Sequence, residues 1–284
     1  MGMDLNIFSL VVFGIGVVGL PLIFMKLVSP EAVKKNPGYG FVIAAFFVLI
    51  GFMAAFFIFS VALSMAMLAF GSLLMLPFLV KILDADAEQK TPEEATLKSF
   101  SSKSFGAILK KHENMITFYM LLFFGMAVEY MFLFAFLPPD ISQSAFSQQL
   151  SLFGPAGHFS VPYANILLNN LQILFIAFVL SVFYGAGSMF VLTYNASIVG
   201  VMYGAPIKAL IWGNVGFAPF YANLLSYIPH TIVEIMAYLF AAVAGGILVS
   251  RREEDILEAT FLFCIAIALV FLGWYIEVTV PGSF

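Results

Sequence analysis

The chain reads as an all-α, polytopic transmembrane helical bundle of about eight spans, N-terminus outside and C-terminus outside. Three observations lead there. Hydrophobic residues make up 62% of the 284 residues and charged residues 10%, against roughly 45–50% and 25% in soluble domains. So few charges cannot dress a water-facing surface, so lipid must be most of the solvent. Apolar runs recur at bilayer-spanning length, and the basic residues fall on one side when those runs alternate. The formal net charge of -4 is small and carries no nucleic-acid signature. One cysteine, Cys264, excludes an intrachain disulfide.

The spans follow in order. The start, MGMDLN, has no Lys or Arg ahead of its apolar run and no small-residue cleavage pattern. It predicts a retained span over 6–27 rather than a removable signal peptide. Residues 38–83 as one helix would measure roughly 65–70 Å, against a hydrocarbon core of about 30 Å. They must cross twice, as 39–59 and 62–83, turning near Ser60–Ser64. A fourth span covers 115–137. The run 163–205 is also too long and splits at Gly185-Ala186-Gly187, where glycines permit a tight turn, into 163–184 and 187–205. The last two spans are 228–250 and 256–279.

Cytoplasmic loops collect Lys and Arg. Alternating these spans puts Lys26, Lys34, Lys35, Lys81, Lys90, Lys98, Lys103, Lys110, Lys111, Arg251 and Arg252 inside, 11 of the 12 basic residues. Only Lys208 is left outside. Joining 163–205 into one span would expose Arg251 and Arg252, so the split is required. The chain thus divides into a three-helix extension (1–83), a basic cytoplasmic linker (84–114) and a five-helix domain (115–284).

Three connecting segments have character. In the linker, Thr91, Pro92 and Glu94 form a helix start of capping-box type. Leu97, Phe100, Phe105, Ile108 and Leu109 alternate with lysines, which suits either a helix on the anionic inner leaflet or a solvated connector. The outer segment 138–162 has no basic residue and is too short for a domain. Residues 206–227 carry Trp212, Phe217, Phe220 and Tyr221 and read as a re-entrant or interfacial hairpin.

Charges inside spans are few, and a mid-span acid costs about 3 kcal/mol on insertion scales. Glu129 and Glu234 are such acids; Glu258 and Glu277 sit near helix ends, within reach of water. His230 lies one helical turn before Glu234 and is its nearest candidate partner. The face continues through Ala237, Ala241 and Gly245, small residues that let a neighbouring helix approach. Gly200 and Gly204 form a second such step. Asn169, Asn170 and Gln172, with Asn165, line the fifth span, and Asn195 sits mid-way along the sixth. One polar cluster is expected from Glu129, Asn169, Asn170, Gln172, Asn195, His230 and Glu234, mostly in the outer half of the membrane.

From about Lys110 onward the chain resembles the stage II sporulation protein M family of polytopic membrane proteins. Its most telling motif is approximately Pro-His-Gly-x-x-Glu-Leu-Pro-Ala, matched here by Pro229, His230, Glu234 and Ala237. Thr231 and Met236 depart from it. An Asn-Asn pair matches Asn169 and Asn170, and a Tyr-Asn-Gly motif with a following glycine matches Tyr194, Asn195 and Gly200, with Ala196 departing. The resemblance implies five spans entering from the cytoplasm. The family's namesake is a scaffold that holds peptidoglycan-degrading enzymes at the engulfing membrane of endospore formers, while many relatives occur in bacteria and archaea that make no spores. This chain carries no wall-binding or hydrolase domain that would tie it to the sporulation role.

Three functions compete. A non-enzymatic scaffold or assembly subunit of a cell-envelope complex would use the cluster as a structural joint. A transporter or permease-like subunit for a small solute, ion or lipid would use the same acids and histidine as a path. No inverted repeat or paired interrupted helices favour transport. An intramembrane metalloenzyme would need a third zinc ligand beside His230 and Glu234, His158 being the nearest candidate, and neither HExxH nor GxSxG is present. The expectation is therefore a multi-pass protein of the cell membrane, not an enzyme and without cofactor. Its expected partners are the lipid bilayer, other membrane or envelope proteins and, through the small-residue stripes, a second copy of itself; no nucleic acid is expected.

Overall fold

The computed structural model describes residues 28–59, 62–88, 105–153, 163–184, 188–213, 224–248 and 253–279, with isolated positions 19, 23 and 26. The span read over 6–27 therefore lies almost wholly outside the described residues. The helices are α1 (Pro30–Lys35), α2 (Tyr39–Ile58), α3 (Leu63–Glu88), α4 (Phe105–Lys111), α5 (Glu113–Phe136) and α6 (Pro139–Ala145). They continue as α7 (Ser147–Leu150), α8 (Tyr163–Tyr184), α9 (Met189–Trp212), α10 (Leu224–Leu248) and α11 (Glu253–Thr279). Seven of them, α2, α3, α5 and α8 to α11, are long and apolar enough to cross a membrane, with mean hydropathy between 1.3 and 2.8.

The long helices pack in two groups. Helices α2, α3, α5 and α9 form one, and α8, α10 and α11 the other; α10 meets α5 where the groups join. Glycines set the closest approaches within each. A methyl group placed on Gly51 of α2 would fall 2.5 Å from the backbone nitrogen of Gly71 on α3. One on Gly200 of α9 would fall 2.6 Å from Cβ of Tyr130 on α5, and one on Gly245 of α10 2.5 Å from the Phe178 carbonyl of α8. Backbones this close maximise dispersion contact, which drives helix association where lipid removes the hydrophobic drive.

These contacts also fix direction. Gly200 meets Ala127 and Tyr130, and Gly204 meets Met131 and Phe134, so α9 runs parallel to α5. Asn170 meets Glu234 while Phe178 and Ser181 meet Gly245, so α8 runs parallel to α10. Alternating spans require both results, and treating 163–205 as one span forbids them.

Several boundaries differ from those the sequence suggests. Helix α9 passes through Pro206 to Trp212, and α10 starts at Leu224 with Pro229 inside it. The hairpin expected over 206–227 is thus helix at both ends, residues 214–223 lying outside the described residues. Neighbouring helices in a bundle compensate the backbone group that a proline frees. In the linker, 89–104 lie outside the described residues. Helix α4 places Ile108, 3% exposed, in the protein core and packs Leu109 against it, rather than laying them on a leaflet.

Helix α5 ends in Leu137-Pro138-Pro139. Those prolines lack the N–H groups that would serve the carbonyls of Phe134 and Ala135, four residues earlier. Helix α9 supplies the donors: Lys208 Nζ bonds to Phe134 O (3.1 Å) and Leu137 O (2.6 Å), and Trp212 Nε1 to Ala135 O (3.1 Å). Lys208 is fully buried, with its ammonium 5.5 Å from the centres of the Phe134 and Trp212 rings. It is not an exposed outer-loop residue, as its position suggested, but a cap for a neighbouring helix.

Candidate functional site

The buried polar groups form separate contacts rather than one cluster. The one nearest the expected site lies among α8, α10 and α11, toward the end of the bundle that carries the segment after α5. Asn170 on α8 donates from Nδ2 to Glu234 Oε1 on α10 (2.5 Å) and accepts from the Tyr238 hydroxyl (3.0 Å). Glu234 and Tyr238 are one turn apart, so a single amide from α8 bridges successive turns of α10. Asn170 serves both because its amide carries a donor and an acceptor.

Helix α11 closes the third side. Gly273 makes room for Glu234: a methyl group there would fall 2.8 Å from Glu234 Cγ. Glu277, one turn further, is close enough to interact electrostatically with both Glu234 and Tyr238. It is 6% exposed, and Glu258 is 3% exposed, so neither reaches water as their positions near the helix ends suggested. His230 is also buried, one turn before Glu234 on α10.

The other expected members lie elsewhere. Asn169 and Gln172 are exposed on the outer face of α8, because Asn170 occupies the side turned toward α10. Asn195 turns its amide back onto its own helix, donating to Val191 O (2.8 Å). Glu129 is half-buried on α5 and makes no bond to Asn170, Glu234 or Tyr238. The physical reason is one of register. Adjacent asparagines are 100° apart on a helix, so the pair Asn169-Asn170 cannot point both amides at one neighbour. Of the packing residues, Ala237, Ala241 and Gly245 are buried along α10, and Gly200 and Gly204 lie against α5.

Two further contacts were not visible in the sequence. Gln149, on the one-turn helix α7, is fully buried and accepts from Ser64 Oγ of α3 (2.9 Å) while donating to Ser197 Oγ of α9 (2.8 Å). Phe146 beside it packs edge-on against Tyr130 and Phe134. The described part of the outer segment, 138–153, therefore folds down onto the bundle. At the opposite end, Glu258 of α11 takes both oxygens to Lys111 Nζ (2.9 and 2.8 Å) and one to His112 Nε2 (3.0 Å). This ties the start of α11 to the start of α5.

Between α5, α9 and α10 runs an apolar groove of about 380 Å³, lined among others by Phe124, Ala127, Val199, Tyr203, Ile232 and Ile235. Among the described residues no three His, Cys, Asp or Glu side chains converge as a metal-binding group. His158 lies outside the described residues.

Fold and site together define a multi-pass helical membrane protein with polar contacts between its helices. Comparison with known proteins narrows this a little. The chain is 29% identical over 160 residues to an uncharacterized protein of Methanocaldococcus jannaschii, a match covering 52% of this chain and 85% of that protein. No protein-family model matches the chain, and no solved structure matches it.

Proposed function

We propose that the protein is a non-enzymatic scaffold or assembly subunit of a cell-envelope membrane complex. The observation that carries the reading is the arrangement of its buried polar bonds. Asn170–Glu234–Tyr238 ties α8 to α10, Gln149 ties α7 to α3 and α9, Lys208 ties α9 to α5, and Glu258 ties α11 to the start of α5. Each bridges separate elements and has its hydrogen bonds inside the protein. A rigid body presenting fixed outer faces is what an assembly subunit requires. The resemblance to the stage II sporulation protein M family supports the same class of role.

A second reading, a permease-like subunit, has one observation in its favour. Two acids, Glu234 and Glu277, share a neighbourhood with Tyr238 within membrane-spanning helices, a common setting for proton or cation paths. One experiment separates the two. Glu234→Gln and Asn170→Leu are introduced, and melting in detergent is measured alongside proton and cation flux in proteoliposomes. For a scaffold, both variants melt lower, flux stays at the level of empty vesicles throughout, and a stoichiometric envelope partner co-purifies from native membranes. Flux in the unmodified protein that Glu234→Gln abolishes at unchanged melting temperature would establish the permease reading.

A further inference from the structure

Helix α8 is the most weakly enclosed of the seven spans: 22% of its apolar stretch is buried, against 33–61% for the others. Its outward side is not uniformly apolar. Asn165, Asn169, Gln172, Ile176, Val179 and Phe183 follow one another in steps of four, three, four, three and four residues. That is a 3.5-residue period, the spacing that keeps one seam of a helix facing a partner helix. Asn165, Asn169, Gln172, Ile176 and Phe183 are exposed and Val179 is half-exposed; Ile176 and Phe183 reach 49% and 75%.

Asn165 stands at the start of the span and can reach headgroups. Asn169 and Gln172 lie deeper, by about 6 and about 10 Å along the axis. Neither makes a hydrogen bond to another described residue. Lipid tails offer no donor or acceptor, so two primary amides at that depth need a protein partner. Sequence alone placed these amides inside the bundle; it is the exposure of this face that assigns them to a surface.

We propose that this seam is the contact between two copies of the chain, paired through α8 about a twofold axis along the membrane normal. The pairing follows from topology and from amide chemistry. Two copies inserted by the same distribution of lysines and arginines have the same orientation, so their α8 helices lie parallel and like depth meets like depth. Asn169 then faces Asn169 and Gln172 faces Gln172. An amide is both donor and acceptor, so each pairs with its own copy without a second residue type. A single asparagine in such a seam is known to fix register and number of strands. The inner half of the seam, Ile176, Val179 and Phe183, supplies apolar knobs. The proposal rests on membrane topology and exposure, and stands whether the protein is a scaffold or a permease.

The test uses the full chain in native membranes, with Cys264→Ser removing the existing thiol. Single cysteines at Asn169, Gln172, Ile176 and Phe183 are oxidised with copper phenanthroline. Leu272→Cys, on the exposed face of α11, serves as control. The expected result is a disulfide dimer of twice the chain's mass at the seam positions and none at Leu272. Asn169→Leu with Gln172→Leu should leave melting within a few degrees but weaken dimerisation in mild detergent at least tenfold. Seam cysteines that cross-link no better than Leu272→Cys overturn the proposal. So does a cross-linked product of any mass other than the dimer's, which would identify a different polytopic protein as the occupant.

Discussion

At the scale of single residues, two side chains test whether buried polar groups hold this fold. Asn170 links Glu234 and Tyr238 through opposite ends of one amide. Asn170→Leu leaves both without that partner. Interhelical hydrogen bonds in membranes are worth about 0.6 kcal/mol on average and up to about 1.7, so melting in detergent should fall by a few degrees. Tyr238→Phe removes one of the two bonds and should cost less than Asn170→Leu; an equal or larger loss would show that the bridge is not the source of stability. Lys208 is the second test. It donates to Phe134 O, whose helical donor Pro138 cannot provide, and to Leu137 O just past the helix end. Lys208→Met keeps the length but orphans acceptors, at about 1–3 kcal/mol each. It should lower melting, and Lys208→Arg should retain more of it. Lys208 was visible in the sequence as the one basic residue on the wrong side. Its role was not, because a cap supplied by another helix has no local pattern.

At the scale of elements, close backbone approach is the sensitive quantity. Gly200 and Gly245 sit against α5 and α8 with no room for a methyl group. Gly200→Val and Gly245→Val should each push two helices apart, at about 1–3 kcal/mol or more, read as lower melting and faster trypsin cleavage. Valine at Gly106, which has open space around it, should change neither. The stripes were legible because small residues recur at three- and four-residue steps. Which helix each stripe meets was not. The sixth-span step packs on α5, while α10 takes α8 and α11 as neighbours. The tie between Glu258 and Lys111-His112 was hidden for the same reason, since 146 residues separate His112 from Glu258. Replacing Glu258 by Gln should loosen the start of α11, seen as faster amide exchange over 256–260 with little change near Gly245.

At the scale of the whole molecule, parallel α5 and α9, and parallel α8 and α10, agree with the alternation of spans. With lysines and arginines inside, Ser151→Cys should react with an impermeant maleimide in intact cells. Lys110→Cys should react only after permeabilisation, both in the Cys264→Ser background. Labelling in the opposite sense would reverse the topology. The contrast between what was readable and what was not follows scale. Composition and run length decided that the chain is an all-α membrane bundle, because a bilayer imposes one length and one polarity on every span. Split points and the basic-residue count decided the alternation. Register, however, is settled only when helices meet. Asn169 and Asn170 are neighbours of identical chemistry in the sequence, yet one lies against α10 and the other faces out. The partner of Glu234 and the cap on α5 arise from side chains distant in sequence brought to one place, and the amide seam of α8 faces out because its opposite side is taken by α10. Hydrophobicity is a property of each residue and can be summed along the chain, whereas contact is a property of pairs and exists only in the folded molecule.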